Sequence, residues 1–310
     1  MRSPGFARLS LAALLWNVFV IVWGAWVRVS RSGAGCGDHW PRCNGELIPS
    51  SPTAQTLIEF THRATSGVAL ALVAAMFVWA FRAWPKGHAV RLGAALSTVF
   101  ILTEALFGAA LVLLRLVAGN VSTTRGWVQA AHLGNTFVLL GCLTLTWWWG
   151  RGRPGPSLEG KRRPVALAMG VALLATLLVG MTGGIAALGD TLFPVRSVSE
   201  GLAQDFDPAS HPLVRLRLWH PVFAVVGSLL AVGVAWGARA ATRRRALTLP
   251  ATLLTAVVLA QLALGVMNIA LLTPAWLQLA HLFVADLLWV TLVIVAAEAL
   301  ALEVTPGGSP

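Results

Sequence analysis

Four histidines in this 310-residue chain stand where ionisable groups are costly, at the edges of long apolar runs. His62 opens one run within Glu59-Phe60-Thr61-His62-Arg63, and His132, His220 and His281 open three more. Ionisable side chains inside membrane-length helices default to function, because hydrocarbon does not solvate them. A single such imidazole reads equally as a helix-bridging group, but four in two matched pairs favour ligation. His39, His88 and His211 fall between the runs and read as solvated. Zinc asks for three or four protein ligands. A haem iron asks for two axial ligands, and its apolar macrocycle suits the core of a four-helix bundle. Two bis-His haem sites, His62 with His132 and His220 with His281, are the economical reading. Gly67, Gly134, Gly141 and Gly227 offer small surfaces near them for a flat ring.

Glu59 precedes His62 by three residues, so on a helix the two share a face, with the acid one turn outward. A carboxylate there takes a proton from a hydroxyl or water, or stabilises developing positive charge. Arg63 reads as a partner of Glu59 or of a haem propionate, or as a snorkelling interfacial arginine. Arg28 invites the propionate and snorkelling readings too. Cys36 and Cys43 lie in one loop, SGAGCGDHWPRCNG. A disulfide between them closes a short loop and contributes about 2.5 kcal/mol by chain entropy. Free thiols and a redox pair are the alternatives, although no C-x-x-C motif is present. Cys142 reads as a packed helix residue.

The elements that must position these groups are membrane helices. The chain is 57% hydrophobic and 11% charged, with a mean hydropathy of +0.75, too few charges to cover a soluble core. Stretches near 9–27, 57–80, 93–114, 128–149, 165–187, 217–238, 250–272 and 276–298 are each long enough to span a bilayer. The first runs into Trp26-Val27-Arg28 without a small-residue cleavage site and reads as a retained span. The net charge of +11 is parcelled between runs, as in Arg82 to Lys86 and Arg243 to Arg245, which argues against a nucleic-acid partner. Placing the N-terminus inside collects Arg2, Arg82, Lys86, Arg151, Lys161 and Arg243 to Arg245 on the cytoplasmic side. Both termini are then cytoplasmic and the histidines lie toward the outer face. There are 14 Trp and no Tyr; Trp23, Trp26, Trp84, Trp127 and Trp147 to Trp149 sit at span ends, as interfacial rings do.

A Gly- and Pro-rich stretch at 151–164 divides the spans four and four. Gln129-Ala130-Ala131-His132-Leu133 matches Gln278-Leu279-Ala280-His281-Leu282, and Glu104 to Gly108 matches Gln261 to Gly265. The expected fold is an all-α integral membrane protein of eight transmembrane helices in two pseudo-symmetric four-helix bundles. Its halves are 1–150 and 165–310, joined by a cytoplasmic linker at 151–164.

Taken together, these residues resemble the haem A synthase family, membrane enzymes that convert haem O to haem A for terminal oxidases. The resemblance covers essentially the whole chain. It rests on Gly24-Ala25-Trp26-Val27-Arg28, on Ser32-Gly33-Ala34-Gly35-Cys36 with Trp40-Pro41 and Cys43, on Glu59 to Arg63, on Ala131-His132-Leu133, and on His220 and His281. It implies a haem b cofactor between His220 and His281, and haem O as substrate between His62 and His132. It also implies oxidation of a porphyrin methyl to a formyl group, and a role for Glu59 in that chemistry. Implied partners are haem O synthase and terminal-oxidase assembly factors, within the lipid bilayer of the cell membrane. The chain departs from the family pattern at Pro221, where an arginine often follows the histidine, and at Glu104, where glutamine is usual. Glu104 reads as a proton-handling group or as a helix-bridging acid. A di-haem cytochrome b electron carrier is the alternative function, but it has no need of Glu59 beside a ligand. A transporter predicts broken helices at mid-membrane, whereas the polar groups here cluster at span ends.

Overall fold

The computed structural model describes residues 3–157 and 162–302. Arg2 and Lys161, used above for orientation, lie outside the described residues, as does part of the 151–164 linker. Among the described residues eight helices are long and apolar enough to cross a membrane. They extend the predicted runs by a few residues because capping polar residues join the helices at their ends. In the first half these are α1 (Pro4–Val29), α2 (Ala54–Ala83), α3 (Ala89–Leu113) and α4 (Thr123–Gly150). Ser3, Thr53, His88 and Ser122 accept hydrogen bonds from the first-turn amides of these four helices, satisfying donors that hydrocarbon cannot.

In the second half α5 (Arg163–Leu192) is followed by two short helices on the connecting segment, α6 (Val198–Phe206) and α7 (Pro212–Arg217). Then come α8 (Trp219–Thr242), α9 (Thr248–Ala270) and α10 (Ala275–Leu300). The hydrogen-bond pattern breaks at Leu218, between α7 and α8. Pro221 explains the break: it has no N–H to offer the carbonyl of Arg217 four residues back, and within the first turn of α8 it is tolerated.

The helices pack as two closed rings. In one, α1 touches α2 and α4, and α3 touches α2 and α4; in the other, α5 touches α8 and α10, and α9 touches α8 and α10. The rings meet where α4 packs on α5 and α10, and α1 on α10. One apolar cluster runs through this junction, joining Phe137 and Leu140 of α4 to Trp289 and Val293 of α10. Trp84, Trp148 and Trp149 belong to that cluster and are buried, whereas Trp127 is 60% exposed. Three of the tryptophans expected at the headgroup level are therefore core residues: Trp148 and Trp149 because α4 is enclosed by helices of both rings, and Trp84, at the end of α2, because it packs on Phe6 of α1 with ring centroids 4.5 Å apart. The described part of the linker is tied to the end of α10: Ser157 N donates to Leu300 O (2.7 Å) and Leu302 N to Gly155 O (3.1 Å).

Candidate functional site

In the first ring the C-terminal part of α1 and the N-terminal part of α2 approach so closely that a Cβ on Gly24 would stand 2.9 Å from Cε1 of His62. Only glycine lets the backbone and the imidazole share that space. His62 Nδ1 is buried without a hydrogen-bond partner among the described residues. His62 stands on α2 and His132 on α4 of the same ring. His132 is held from α3, with Phe107 at 6.0 Å between ring centroids and Glu104 Oε1 at 3.5 Å from Nδ1.

Above His62 lies the cysteine loop, closed by the Cys36–Cys43 disulfide. Glu59, only 3% exposed, accepts a 2.8 Å hydrogen bond from the backbone N–H of Cys36 on Oε2. Its other oxygen takes Arg63 at 2.5 Å. Arg63 also donates to the carbonyls of His39 (2.6 Å) and Arg42 (2.7 Å), and Thr56 Oγ1 donates to Gly35 O (2.9 Å). A side chain at Gly35 would collide with the Gln55 carbonyl. The N-terminal end of α2 thus carries a ladder of polar groups that clamps the loop by its backbone. Glu59 and Arg63, four residues apart on one face, form its ion pair.

The second ring places its histidines similarly. His62 lies eight residues after Ala54, the start of α2, and His220 lies eight after Pro212, the start of α7. Gly183 of α5 backs His220 as Gly24 backs His62, with a Cβ-to-Cε1 distance of 2.9 Å. Thr182 Oγ1 lies 3.3 Å from His220 Nδ1. His281 is met by Gln261 of α9, Nε2 to Nε2 at 3.1 Å, and Gly265 backs its ring at 3.5 Å. The imidazoles of His220 and His281 have centroids 6.5 Å apart and nearly perpendicular planes. Metal–imidazole bonds of about 2 Å on either side, plus the ring radii, call for centroids roughly 6–6.5 Å apart. One metal ion between two axial imidazoles fits this spacing. Thr182 engages Nδ1 of His220, while Nδ1 of His281 is buried without a hydrogen-bond partner among the described residues. No group of three or more His, Cys, Asp or Glu suited to a metal ion occurs among the described residues.

A family model described as COX15-CtaA, cytochrome oxidase assembly protein, matches residues 7–293. The chain belongs to the COX15-CtaA family. A Thermus thermophilus protein named protoheme IX farnesyltransferase is 52% identical over 235 residues, which are 75% of this chain and 38% of that one. The heme A synthase of Halalkalibacterium halodurans is 35% identical over 141 residues, 45% of each chain. That of Exiguobacterium sibiricum is 38% identical over 128 residues, 41% of this chain and 40% of the other. The chain spans less than half the length of these curated relatives.

Within this COX15-CtaA chain several side chains do something other than their spacing suggests. Arg28 crosses from α1 into the second ring, donating to Ala187 O (2.7 Å), Thr191 Oγ1 (2.6 Å) and Gln278 Oε1 (3.1 Å). Arg63 is occupied by Glu59 and the cysteine loop. Of the four glycines expected to face a ring, Gly134 meets Met181, Gly141 meets Trp289 and Gly227 meets Val179, while Gly67 faces open space. Three are helix–helix contact points, and the glycines that touch the histidines are Gly24, Gly183 and Gly265. His88 and His211 serve as helix caps for α3 and α7. Cys142 is buried and unbridged.

Two features carry no readable sequence signal. Arg217 of α7, 9% exposed, bonds Asp190 at 3.2 Å and Asp205 at 2.5 Å, locking the α5–α8 connection over the second ring. Asp286 of α10 is fully buried, and neither of its oxygens has a hydrogen-bond partner among the described residues. An acid in an apolar run hints at the second. The first depends on which residues of a long loop fold back.

Proposed function

We propose that this chain is a haem A synthase, oxidising a porphyrin methyl group of haem O to a formyl group to give haem A for terminal oxidases. What carries the reading is a repeated layout with one asymmetry. In each ring a glycine backs one histidine and a polar residue of the neighbouring helix meets the other. The second ring has an ion-paired cluster of its own in Arg217 with Asp190 and Asp205; the first differs in placing a buried carboxylate, Glu59, on the histidine's own helix one turn away, under a disulfide loop. Membership of COX15-CtaA and relatives named heme A synthase support the same reading.

In this reading residues 1–150 take haem O between His62 and His132. Residues 165–310, descended from the same ancestral half, hold haem b between His220 and His281, and 151–164 is the cytoplasmic linker. Haem b, when bound, supplies a one-electron redox centre. His220 is oriented by Thr182 and pressed by Gly183, so its ring has little freedom to turn. Arg28 ties α1 to α5 and α10 and holds the rings in register; Arg28 and Arg63 are the propionate partners in this reading. Glu59 is the catalytic carboxylate. Arg63 and the Cys36 amide fix the position of its two oxygens, and a carboxylate one turn above His62 suits stabilisation of positive charge developing on the substrate. The oxidation, methyl to hydroxymethyl to a gem-diol that loses water to give the formyl group, removes four electrons and four protons and adds one oxygen atom, so it needs an external electron acceptor and an oxygen donor. The cysteine loop covers Glu59 and keeps bulk water from screening it.

Farnesyl transfer to protohaem is the class of reaction that supplies haem O. The name of the Thermus thermophilus relative therefore supports a haem O synthase as the neighbour that delivers substrate, and the family description supports terminal-oxidase assembly factors as recipients. The chain would reside in the cell membrane with both termini cytoplasmic and the haem sites toward the outer face.

The test is pigment extraction from the purified chain, expressed with and without a source of haem O. Haem A appearing only when haem O is supplied is the expected result. Two fixed b-type haems and no formyl product would instead identify an electron carrier. Glu59→Ala should retain haem and stop conversion, with hydroxylated haem accumulating. A Cys36→Ser/Cys43→Ser variant, which loosens the loop but keeps the carboxylate, should convert at a reduced rate; if it were as inactive as Glu59→Ala, Glu59 would act only through the loop.

A further inference from the structure

We propose that Glu104 is a positioning residue for His132, holding its Nδ1–H so that Nε2 faces the bound iron. The same contact makes the first site's iron easier to oxidise than the second's. This rests on the ligand reading above and adds an unequal pair of redox centres to it.

The carboxylate is held in a fixed network between α3 and α4. The carbonyl of Phe100 can only accept, so the Asn135 side-chain atom 2.9 Å from it is the amide nitrogen. That nitrogen also donates to Glu104 Oε2 at 2.6 Å, and Thr103 Oγ1 donates to the Asn135 carbonyl at 2.6 Å. Glu104 Oε2 is thereby an acceptor. The other oxygen lies 2.5 Å from Thr136 Oγ1 and 3.5 Å from His132 Nδ1. Nδ1 is buried and has no hydrogen-bond partner among the described residues, where Glu104 is the acceptor within reach. A neutral imidazole that ligates through Nε2 carries its proton on Nδ1, and the proton then points at the carboxylate. Metal-ligating histidines are commonly oriented this way, and the carboxylate raises the basicity of the ligand.

The corresponding position in the second ring is Gln261, whose amide meets Nε2 of His281 at 3.1 Å, so the nitrogen left for a ligand there is Nδ1, which has no hydrogen-bond partner among the described residues. One site therefore has a formal negative charge beside an axial ligand and the other a neutral amide. Negative charge and hydrogen bonding near a haem ligand favour the ferric state. The charge stands in the site proposed to hold the molecule that is oxidised, so electrons leave that site more readily than the one holding the retained cofactor.

The experiment is a potentiometric titration of the full-length chain loaded with protohaem, following the optical bands of both sites. His132→Ala and His281→Ala variants assign each band. Glu104→Gln should shift the ferric-to-ferrous ratio at the first site about tenfold toward ferrous, a rise of about 59 mV for one electron, and leave the second unchanged. Gln261→Glu, which does not disturb the α3–α4 network, should move the second site the opposite way. Haem retained at the first site with an unmoved potential in Glu104→Gln, or a second site insensitive to Gln261→Glu, would overturn the tuning role. A wild-type spectrum in which no band depends on His132 would overturn the ligand reading itself, and the inference with it.

Discussion

Replacing Gly24 or Gly183 with alanine tests the histidine sites one at a time. Each added Cβ would lie 2.9 Å from a histidine Cε1, whereas carbon atoms rest about 3.5–4.0 Å apart. The ring must therefore retreat by roughly 0.6–1.1 Å, more than the roughly 0.5 Å that a preorganised site tolerates. Overpacking of this kind costs about 1–3 kcal/mol. If the cost falls on the ligand, haem affinity drops roughly five- to 150-fold. Alanine improves helix propensity by about 0.8–1 kcal/mol over glycine, so the fold itself should lose little. Gly237→Ala is the control: nothing lies within 4 Å of its added Cβ, and it stands 17 residues beyond His220, roughly 25 Å along α8. Titration of each purified variant with protohaem, followed at the Soret band, gives the affinity, and a thermal melt gives the stability. Gly24→Ala should weaken only the band that depends on His62, Gly183→Ala only the one that depends on His220, and Gly237→Ala neither. Unaltered affinity in both variants at normal stability would refute the claim that these glycines set the histidine positions.

Three further outcomes follow from the packing. Cys36→Ser/Cys43→Ser should lose about 2.5 kcal/mol, read as a lower melting temperature that wild-type protein reaches on adding reductant. Arg217→Ala removes the cation shared by Asp190 and Asp205; the cost should be about 3–5 kcal/mol, with faster proteolysis between residues 193 and 211, and an unchanged digestion rate would argue against the clamp. Asp286→Ala removes a buried carboxyl with no partner, so the melting temperature should rise by an amount corresponding to about 1–3 kcal/mol less the cost of the small cavity. A fall would mean that the acid has a partner in the working protein.

Much of the site was legible because membrane composition makes every polar residue conspicuous. His62, His132, His220 and His281 stood out against apolar runs, and the eight helices followed from run length alone. The Cys36–Cys43 bond followed from two thiols in one short loop. Less legible was what the arginines do. Arg28 and Arg63 have the spacing of propionate partners, yet their donors go to carbonyls and side chains that lie far away in sequence.

The glycines mark the same boundary. Every spanning helix but α10 carries them, and their number says nothing about which ones touch a candidate ligand; Gly24 and Gly183 differ from Gly134 and Gly227 only in what the neighbouring helix presents. Residue types and their period along the chain determined the membrane class, the span count and the pairs of candidate ligands, because transfer out of water acts on each segment separately. The partner of each polar group was decided only by the tertiary structure. Helix rotation and crossing select contacts between residues distant in the chain, such as Glu104 with Asn135 and Glu59 with the Cys36 amide.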